Sequence, residues 1–428
     1  MTELLVLIDG ELVGNVEQQK TGELALTYER SWRDLRDSYP VSLSMPLSSR
    51  QHGDDVVRPF MEGLLPDSDT VLKNWAKRFH VSPRNPFALL THMGEECAGA
   101  VQFLRPDRLE ELQQQTERQV EWLSDSGVAE RLRDLTQAHG TGRLAGDNGQ
   151  FSLAGAQPKM PLLNDGGRWG IPSGATPTTH ILKPPAQEHF DGFDINEHFC
   201  LRLADELGLL VADSTVHTFE DQKALVVERY DRQRDADGRL VRVHQEDACQ
   251  ALGVSPLRKY EHEGGPGPTE IVDLILRESD RPDHDAGVFV DALALNWVIG
   301  GTDAHAKNYS FLLSAGSVQL APLYDLISAL PYPHRVHYRE AKLAMRVDRE
   351  YHLWKVRRRH WEGLAVRCEL DPEPLVDRVA EIAAAIPNAA RRAAESVRGE
   401  GIDHDIVRRA ERSICEHAEQ CLGVLAKP

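Results

Sequence analysis

The sequence predicts an α+β chain in two lobes, a small strand-rich lobe followed by a larger helical one. Three observations carry this expectation. Between residues 149 and 232, short apolar runs broken by glycine and proline surround one amphipathic stretch. From residue 233 onward the apolar residues recur mainly at helical spacing. At 428 residues, 41% hydrophobic and 27% charged, the chain is long enough to bury the cores of two or three domains.

Ahead of the two lobes, residues 1–105 read as an added subdomain of strands and then helices. LLVLID and LVGNVEQ flank Asp9-Gly10-Glu11, and Asp-Gly supplies the positive φ that a tight hairpin needs. LALTY follows Gly22 as a further strand. SDTVLKNWAKRF has a Ser/Asp start and helical apolar spacing. Residues 106–148 are polar and helix-prone, end in the glycine-rich HGTGRLAGDNG, and read as a helical connection. Within 149–232, FSLAGAQPKMPLL, then RWGIP after a Gly-Gly turn, then THILKPP are successive strands. NEHFCLRLADELGL is an amphipathic helix closed by Gly208, and STVHTFE and ALVVERYDR are two more strands. Residues 233–428 turn mainly helical, through HQEDACQALG, TEIVDLILRES and AGVFVDALALNWVIGG, with a long helical series from about residue 354.

Several function classes are disfavoured by composition. No apolar run reaches the roughly eighteen residues of a membrane span, and MTELLVLIDGELVG lacks the basic start of a signal peptide, so no membrane partner and a cytoplasmic location are expected. The six cysteines contain no C-x-x-C pair, which points to buried thiols rather than a disulfide framework or zinc site. A net charge of -18 opposes bulk attraction to nucleic acid. The densest basic patch, Lys355-Val356-Arg357-Arg358-Arg359-His360, reads either as a solvated helix face or as a contact to a phosphate backbone.

The chemistry-bearing stretch is DALALNWVIGGTDAHAKNYSFLL. An apolar helix runs into Gly300-Gly301, then a short polar loop, then the strand YSFLL. Asp303 and Asn308 have the spacing D-x-x-x-x-N of the protein-kinase catalytic loop, in which the Asp accepts the substrate hydroxyl proton and the Asn binds magnesium. Downstream, QLAPLYDLIS ends an apolar strand at Asp325. There Asp325 either supplies a second oxygen ligand for magnesium or caps a helix starting at Leu326. Upstream, Lys159 follows a glycine-containing hairpin and Lys183 lies on a strand; each is a candidate for ATP phosphates or an ordinary solvated lysine. SLAGAQPK is not a G-x-x-x-x-G-K-[ST] loop, so a P-loop NTPase is disfavoured.

At these residues the sequence resembles the HipA family, kinase toxins of bacterial toxin–antitoxin systems. YPVSLSMPL, MEGLLPDS and GEECAGAVQF resemble the family's N-terminal subdomain. SLAGAQPK, TPTTHILKPP, NEHFCLRLADELGL, VERYDR, QEDACQALG, KYEHEGGPG, GGTDAHAKN and LYDLISA follow in the order of its kinase part. The resemblance implies a two-lobed protein-kinase-like fold and transfer of phosphate from Mg-ATP to serine or threonine of a protein. Asp303 would be the base, with Asn308 and Asp325 holding Mg2+. Ala154, Gly155, Ala156, Gln157 and Lys159 would form the phosphate loop, with Lys183 also on the phosphates. Glu228 and Tyr230 would meet the adenine, and His305, Lys307 and Tyr324 would complete the ATP site; His305 serves equally as a loop-stabilising hydrogen-bonder. Ser152 matches a serine that the family phosphorylates on itself. A HipB-like helix-turn-helix antitoxin, operator DNA reached through it, and glutamyl-tRNA synthetase as a candidate substrate are the implied partners. The competing reading is a nucleotide-binding corepressor that acts with the antitoxin on operator DNA. Departures from ordinary kinases are the absent H-R-D, Tyr-Asp-Leu in place of Asp-Phe-Gly, and a loop lysine four positions after Asp303 rather than two. The glutamate that pairs the strand lysine is either Glu197 or Glu206.

Overall fold

The computed structural model describes residues 2–109, 119–137, 151–155, 157–173, 176–185 and 190–427. Strands Thr2–Ile8 and Glu11–Gln18 pair antiparallel with Ile8 opposite Glu11. Asp9 and Gly10 turn the chain at φ 46° and 87°, the paired positive φ of the expected hairpin. Strands Leu24–Tyr28 and Gln51–His52 extend the sheet on one side and Val101–Leu104 on the other, making five strands. Leu4, Val6, Ile8, Val13, Val16 and Leu26 share a core with residues of the helices Asp54–Gly63, Asp69–Phe79 and Pro86–Met93. Two of those helices begin where side chains accept from the first turn: Ser68 Oγ from Val71 N, and Asn85 Oδ1 from Ala88 N.

A six-stranded sheet runs in the order Ser214–Phe219, Gln222–Glu228, His180–Lys183, Met160–Asp165, Arg168–Ser173, Gln119–Leu123. The last strand departs from expectation, because it lies inside the segment expected to be a helical connection. Gln119–Leu123 pairs antiparallel with Arg168–Ser173. Helix Asp125–Gln137 then buries Val128, Ala129, Leu132 and Leu135 in the core of the same sheet. QVEWL carries a period-2 pattern too short to stand out in a polar stretch. Residues 110–118 and 138–148 of the expected connection lie outside the described residues.

The subdomain at 1–105 is joined by buried ions to residues flanking this sheet and to the two-stranded ribbon of Arg232–Arg234 and Leu240–Arg242. Glu96 Oε1 accepts from Arg229, Arg232, and the backbone and hydroxyl of Thr178, while Oε2 accepts from Arg242 Nη2 at 2.7 Å. Asp231 pairs with Arg229 at 2.8 Å and accepts from Gly99 N at 2.7 Å. All five charged side chains are 5% exposed or less.

Grouped by proximity, the chain divides into residues 1–184, 217–257 and 310–318 as one unit, and 185–216, 258–309 and 319–428 as the other. This division differs from an expected boundary at 232/233. The amphipathic helix Phe193–Glu206, expected among the strands, belongs to the second unit, where it packs on helices Pro372–Gly399 and Asp405–Leu425. Its Asn196 donates to Ser328 O at 2.7 Å and its His198 bonds Glu400 at 2.8 Å. His244–Asp247, expected to start a helix, is a strand antiparallel to Ser310–Ser314 in the first unit, leaving only Ala248–Ala251 as a helical turn. Among the described residues, no helix is long and apolar enough to cross a membrane. All six cysteines are free thiols, five of them buried.

Candidate active site

In the second unit, helix Pro282–Ile299 is buried through nearly all of its last three turns, including Phe289, Leu295, Trp297, Val298 and Ile299. Such a helix is placed by packing on every side. It ends at Gly300, whose φ of 69° is the left-handed cap that glycine adopts most easily. Gly301 N donates to Asn296 O at 2.7 Å, and a Cβ on Gly301 would fall 2.1 Å from Asn296 Oδ1. The double glycine therefore lets the chain double back tightly into the polar loop.

That loop presents Asp303 to solvent. The Tyr260 hydroxyl donates to Asp303 Oδ1 at 2.6 Å, and the Tyr260 ring meets His305 edge-on at 5.0 Å. His305 N donates to Asp303 O at 2.9 Å, and Asn308 N to His305 O at 2.9 Å, closing the turn at 306–308. His305 and Lys307 are buried. Asn308 Oδ1 is buried and has no hydrogen-bond partner among the described residues. An amide oxygen in that state is costly unless a ligand completes it.

Tyr324 donates its hydroxyl to Lys307 O at 2.7 Å, which fastens the Tyr-Asp-Leu segment to the loop. The next residue, Asp325, has φ 51°, a left-handed conformation uncommon outside glycine that marks a residue held in place by its surroundings. The strand expected to end at Asp325 stops at Leu320, with an isolated bridge from Leu323 to Val211. No helix begins at Leu326, so the capping alternative for Asp325 falls away. Glu206 forms an ion pair with Arg392, whereas Glu197 is buried within its helix.

The first unit carries the other expected residues. Lys183 is buried on His180–Lys183, with Leu225 opposite it. Lysine is rarely so buried without a charge to meet. Gly155 has φ 106°, its carbonyl accepts from Asp67 N at 3.1 Å, and a Cβ there would strike Lys159 Nζ at 2.3 Å. Lys159 Nζ donates to Ala154 O at 2.7 Å, folding the segment over itself. Gln157 Nε2 is buried without a hydrogen-bond partner among the described residues, and Ala156 lies outside them. Glu228 is exposed at the end of its strand, and Tyr230 donates its hydroxyl to Gln245 Oε1. Ser152 is fully buried, its hydroxyl donating to Leu64 O and its N–H to Glu96 O, each at 2.8 Å.

Two features escaped sequence reasoning. Tyr260 was legible only as part of KYEHEGGPG, since its contact with Asp303 spans 43 residues. The Glu96 cluster joins residues more than 130 positions apart; the only hint was the density of charge in ERYDR. The basic patch is largely used locally. Arg357 donates to Trp354 O and Val356 O at 2.8 Å, Arg358 pairs with Glu362, and Lys355 lies over the Trp354 ring.

Residues 151–390 match the family model described as HipA-like C-terminal domain, and residues 4–104 that of the HipA N-terminal domain. The Sinorhizobium fredii protein Y4mE is 40% identical over 359 residues, 83% of each chain. The serine/threonine-protein kinase toxin HipA of Shewanella oneidensis is 30% identical over 353 residues, 79% of this chain and 77% of that one. A chain of the solved S. oneidensis complex of HipA, HipB and operator DNA matches with a TM-score of 0.83 and 26% identity, over 99% of this chain and 98% of that one. With both family models matched in order and the fold shared end to end, the chain belongs to the HipA family of kinases and has its α+β, two-lobed kinase-like fold.

Proposed function

We propose that the chain is a serine/threonine protein kinase of the HipA toxin type that moves the γ-phosphoryl group of ATP to a protein hydroxyl. The observation that carries this reading is the loop after Gly301. It presents an exposed, hydrogen-bonded carboxylate at Asp303 and an unsatisfied buried oxygen at Asn308, and Tyr324 fastens it to the segment bearing Asp325.

Asp303 orients the incoming hydroxyl and takes its proton while the new O–P bond forms and the bond to the β-phosphate oxygen breaks. Lys183, Lys159 and the 154–157 segment hold the nucleotide phosphates, His305 and Lys307 contribute to ATP binding, and Glu228 and Tyr230 meet the adenine. Asn308 Oδ1 and the Asp325 carboxylate are hard oxygen donors suited to magnesium, which takes few protein ligands and completes its octahedron with water and phosphate. When bound, that ion would neutralise charge on the transferred phosphoryl group. Ser152 is the site of autophosphorylation, and glutamyl-tRNA synthetase is the candidate external substrate.

A HipB-like helix-turn-helix antitoxin neutralises the kinase and links it to operator DNA. This assignment draws on the S. oneidensis complex, which contains HipA, HipB and operator DNA. The same complex favours a second role as corepressor, which coexists with transfer or replaces it.

Incubating the full chain with labelled Mg-ATP and mapping the phosphate tests both readings. Wild type is expected to label Ser152, and Asp303→Asn to lose transfer by roughly 100-fold or more while still binding ATP. Normal transfer by Asp303→Asn would remove Asp303 as the base. Absence of label from a wild type that binds ATP would favour the corepressor.

A further inference from the structure

An exposed carboxylate on a loop turns freely about two bonds unless a neighbour holds it. For Asp303 that neighbour is the Tyr260 hydroxyl, 2.6 Å from Oδ1. A hydrogen bond to a charged group is among the stronger ones available in water.

Tyr260 is itself placed by a loop with little freedom. Glu263 N and Gly265 N both donate to Tyr260 O at 3.0 Å. Gly265 lies so close to the preceding chain that a Cβ would fall 1.9 Å from Arg258 O, and Gly264 has φ 86°. Glu261 is clamped by Arg346, which donates from its backbone N at 2.7 Å and meets it through Nε at 2.8 Å. Gly267 packs on that carboxylate, where a Cβ would stand 2.3 Å from Glu261 Oε1. Ala306 N donates to Lys259 O at 3.4 Å, tying this loop to the one that carries Asp303. The glycines of KYEHEGGPG thus close a turn whose outcome is one phenol set on one carboxylate oxygen.

We infer that Tyr260 is a positioning residue for phosphoryl transfer: it holds Oδ1 of Asp303 so that Oδ2 is turned to the substrate hydroxyl and takes its proton. The inference rests on the reading of Asp303 as the base. The Tyr260 hydroxyl acts on transfer through Asp303, so its removal affects turnover and leaves nucleotide binding as it was. A small error in the angle of a base is enough to slow transfer, because the reaction depends on near-attack geometry.

The test uses the full-length chain with labelled Mg-ATP and a phosphoacceptor detected by autoradiography. Tyr260→Phe removes one oxygen and keeps the ring against His305. It is expected to lower kcat roughly ten-fold, the low end for a hydrogen bond to a charged group. KM for ATP, ATP affinity and the unfolding midpoint should stay at wild-type values. Placed in an Asp303→Asn background and followed by single-turnover labelling, Tyr260→Phe should cause no further loss, since the group it positions is gone. A wild-type kcat in Tyr260→Phe overturns the inference. So does a loss of the same size in the Asp303→Asn background, or a loss of ATP affinity or folding, each of which assigns Tyr260 a structural role. If instead Asp303→Asn transfers phosphate normally, the reading of Asp303 fails first and the inference falls with it. That outcome is distinct from a normal Tyr260→Phe beside a silent Asp303→Asn.

Discussion

Ser152 has no exposed surface, and its hydroxyl is spent on the Leu64 carbonyl. Truncation to Ser152→Ala removes one neutral hydrogen bond and should cost about 1 kcal/mol in denaturant unfolding. Ser152→Asp would place a buried carboxylate against the backbone carbonyl of Leu64. We expect it to destabilise the chain by roughly 3 kcal/mol, or to release the 151–155 segment with weakened ATP affinity. Equal stability and equal ATP affinity in Ser152→Asp would contradict this description of the site. Phosphate can reach Oγ only when the segment has left this position, because the atom is buried where it stands.

At the scale of elements, the junction between helix Pro282–Ile299 and the loop that carries Asp303 depends on two adjacent glycines with different requirements. Gly300 is needed for its left-handed φ; Gly301 is needed for space. Asn296 cannot readily yield to a side chain on Gly301, since it is buried and donates to Ala292 O at 2.9 Å. Gly301→Ala is therefore expected to cost about 1–3 kcal/mol by overpacking and to lower phosphotransfer by displacing Asp303. Thermal unfolding and labelled-ATP transfer measured on the same variant check both parts. The helix and its glycine stop were readable from apolar spacing and punctuation. The strand Gln119–Leu123 was not, because five residues of alternation carry little signal until a partner strand is known.

At the scale of the first unit as a whole, two buried carboxylates and three buried guanidiniums join the N-terminal subdomain to residues 229–242, which follow the strand Gln222–Glu228. Removing one member leaves the others uncompensated, so Glu96→Gln should lower unfolding free energy by about 3–5 kcal/mol. Burial alone would raise both carboxylates, but the surrounding arginines prevail: Asp231 is brought down to about 2 and Glu96 lower still. Carboxylates depressed in the folded state add stability that is complete above their unfolded range near pH 4 and is lost as pH falls toward 2. His244 adds to the acid loss from about pH 6.5 downward, because burial holds it at about 4 and neutral when folded. Stability should therefore decline from below pH 6.5 and steeply below pH 4, with a shallower acid limb in Glu96→Gln. Chemical denaturation at several pH values measures it, and parallel limbs in the two proteins would refute the assignment.

By itself the sequence determined what depends on near neighbours. The Asp9-Gly10 hairpin, the Gly166-Gly167 turn between its two strands, the helix ending at Gly300 and the spacing of Asp303 from Asn308 all follow from local periodicity and turn chemistry. The tertiary structure alone decided which distant groups meet. It set Tyr260 on Asp303, Arg346 on Glu261 and three arginines around two acids, and it moved helix Phe193–Glu206 to the company of the C-terminal helices. The reason is physical: the alternation of apolar and polar residues states which face of an element is buried. The stability of a buried ion or the aim of a catalytic carboxylate depends on what stands within 3 Å of it, and periodicity carries no record of that.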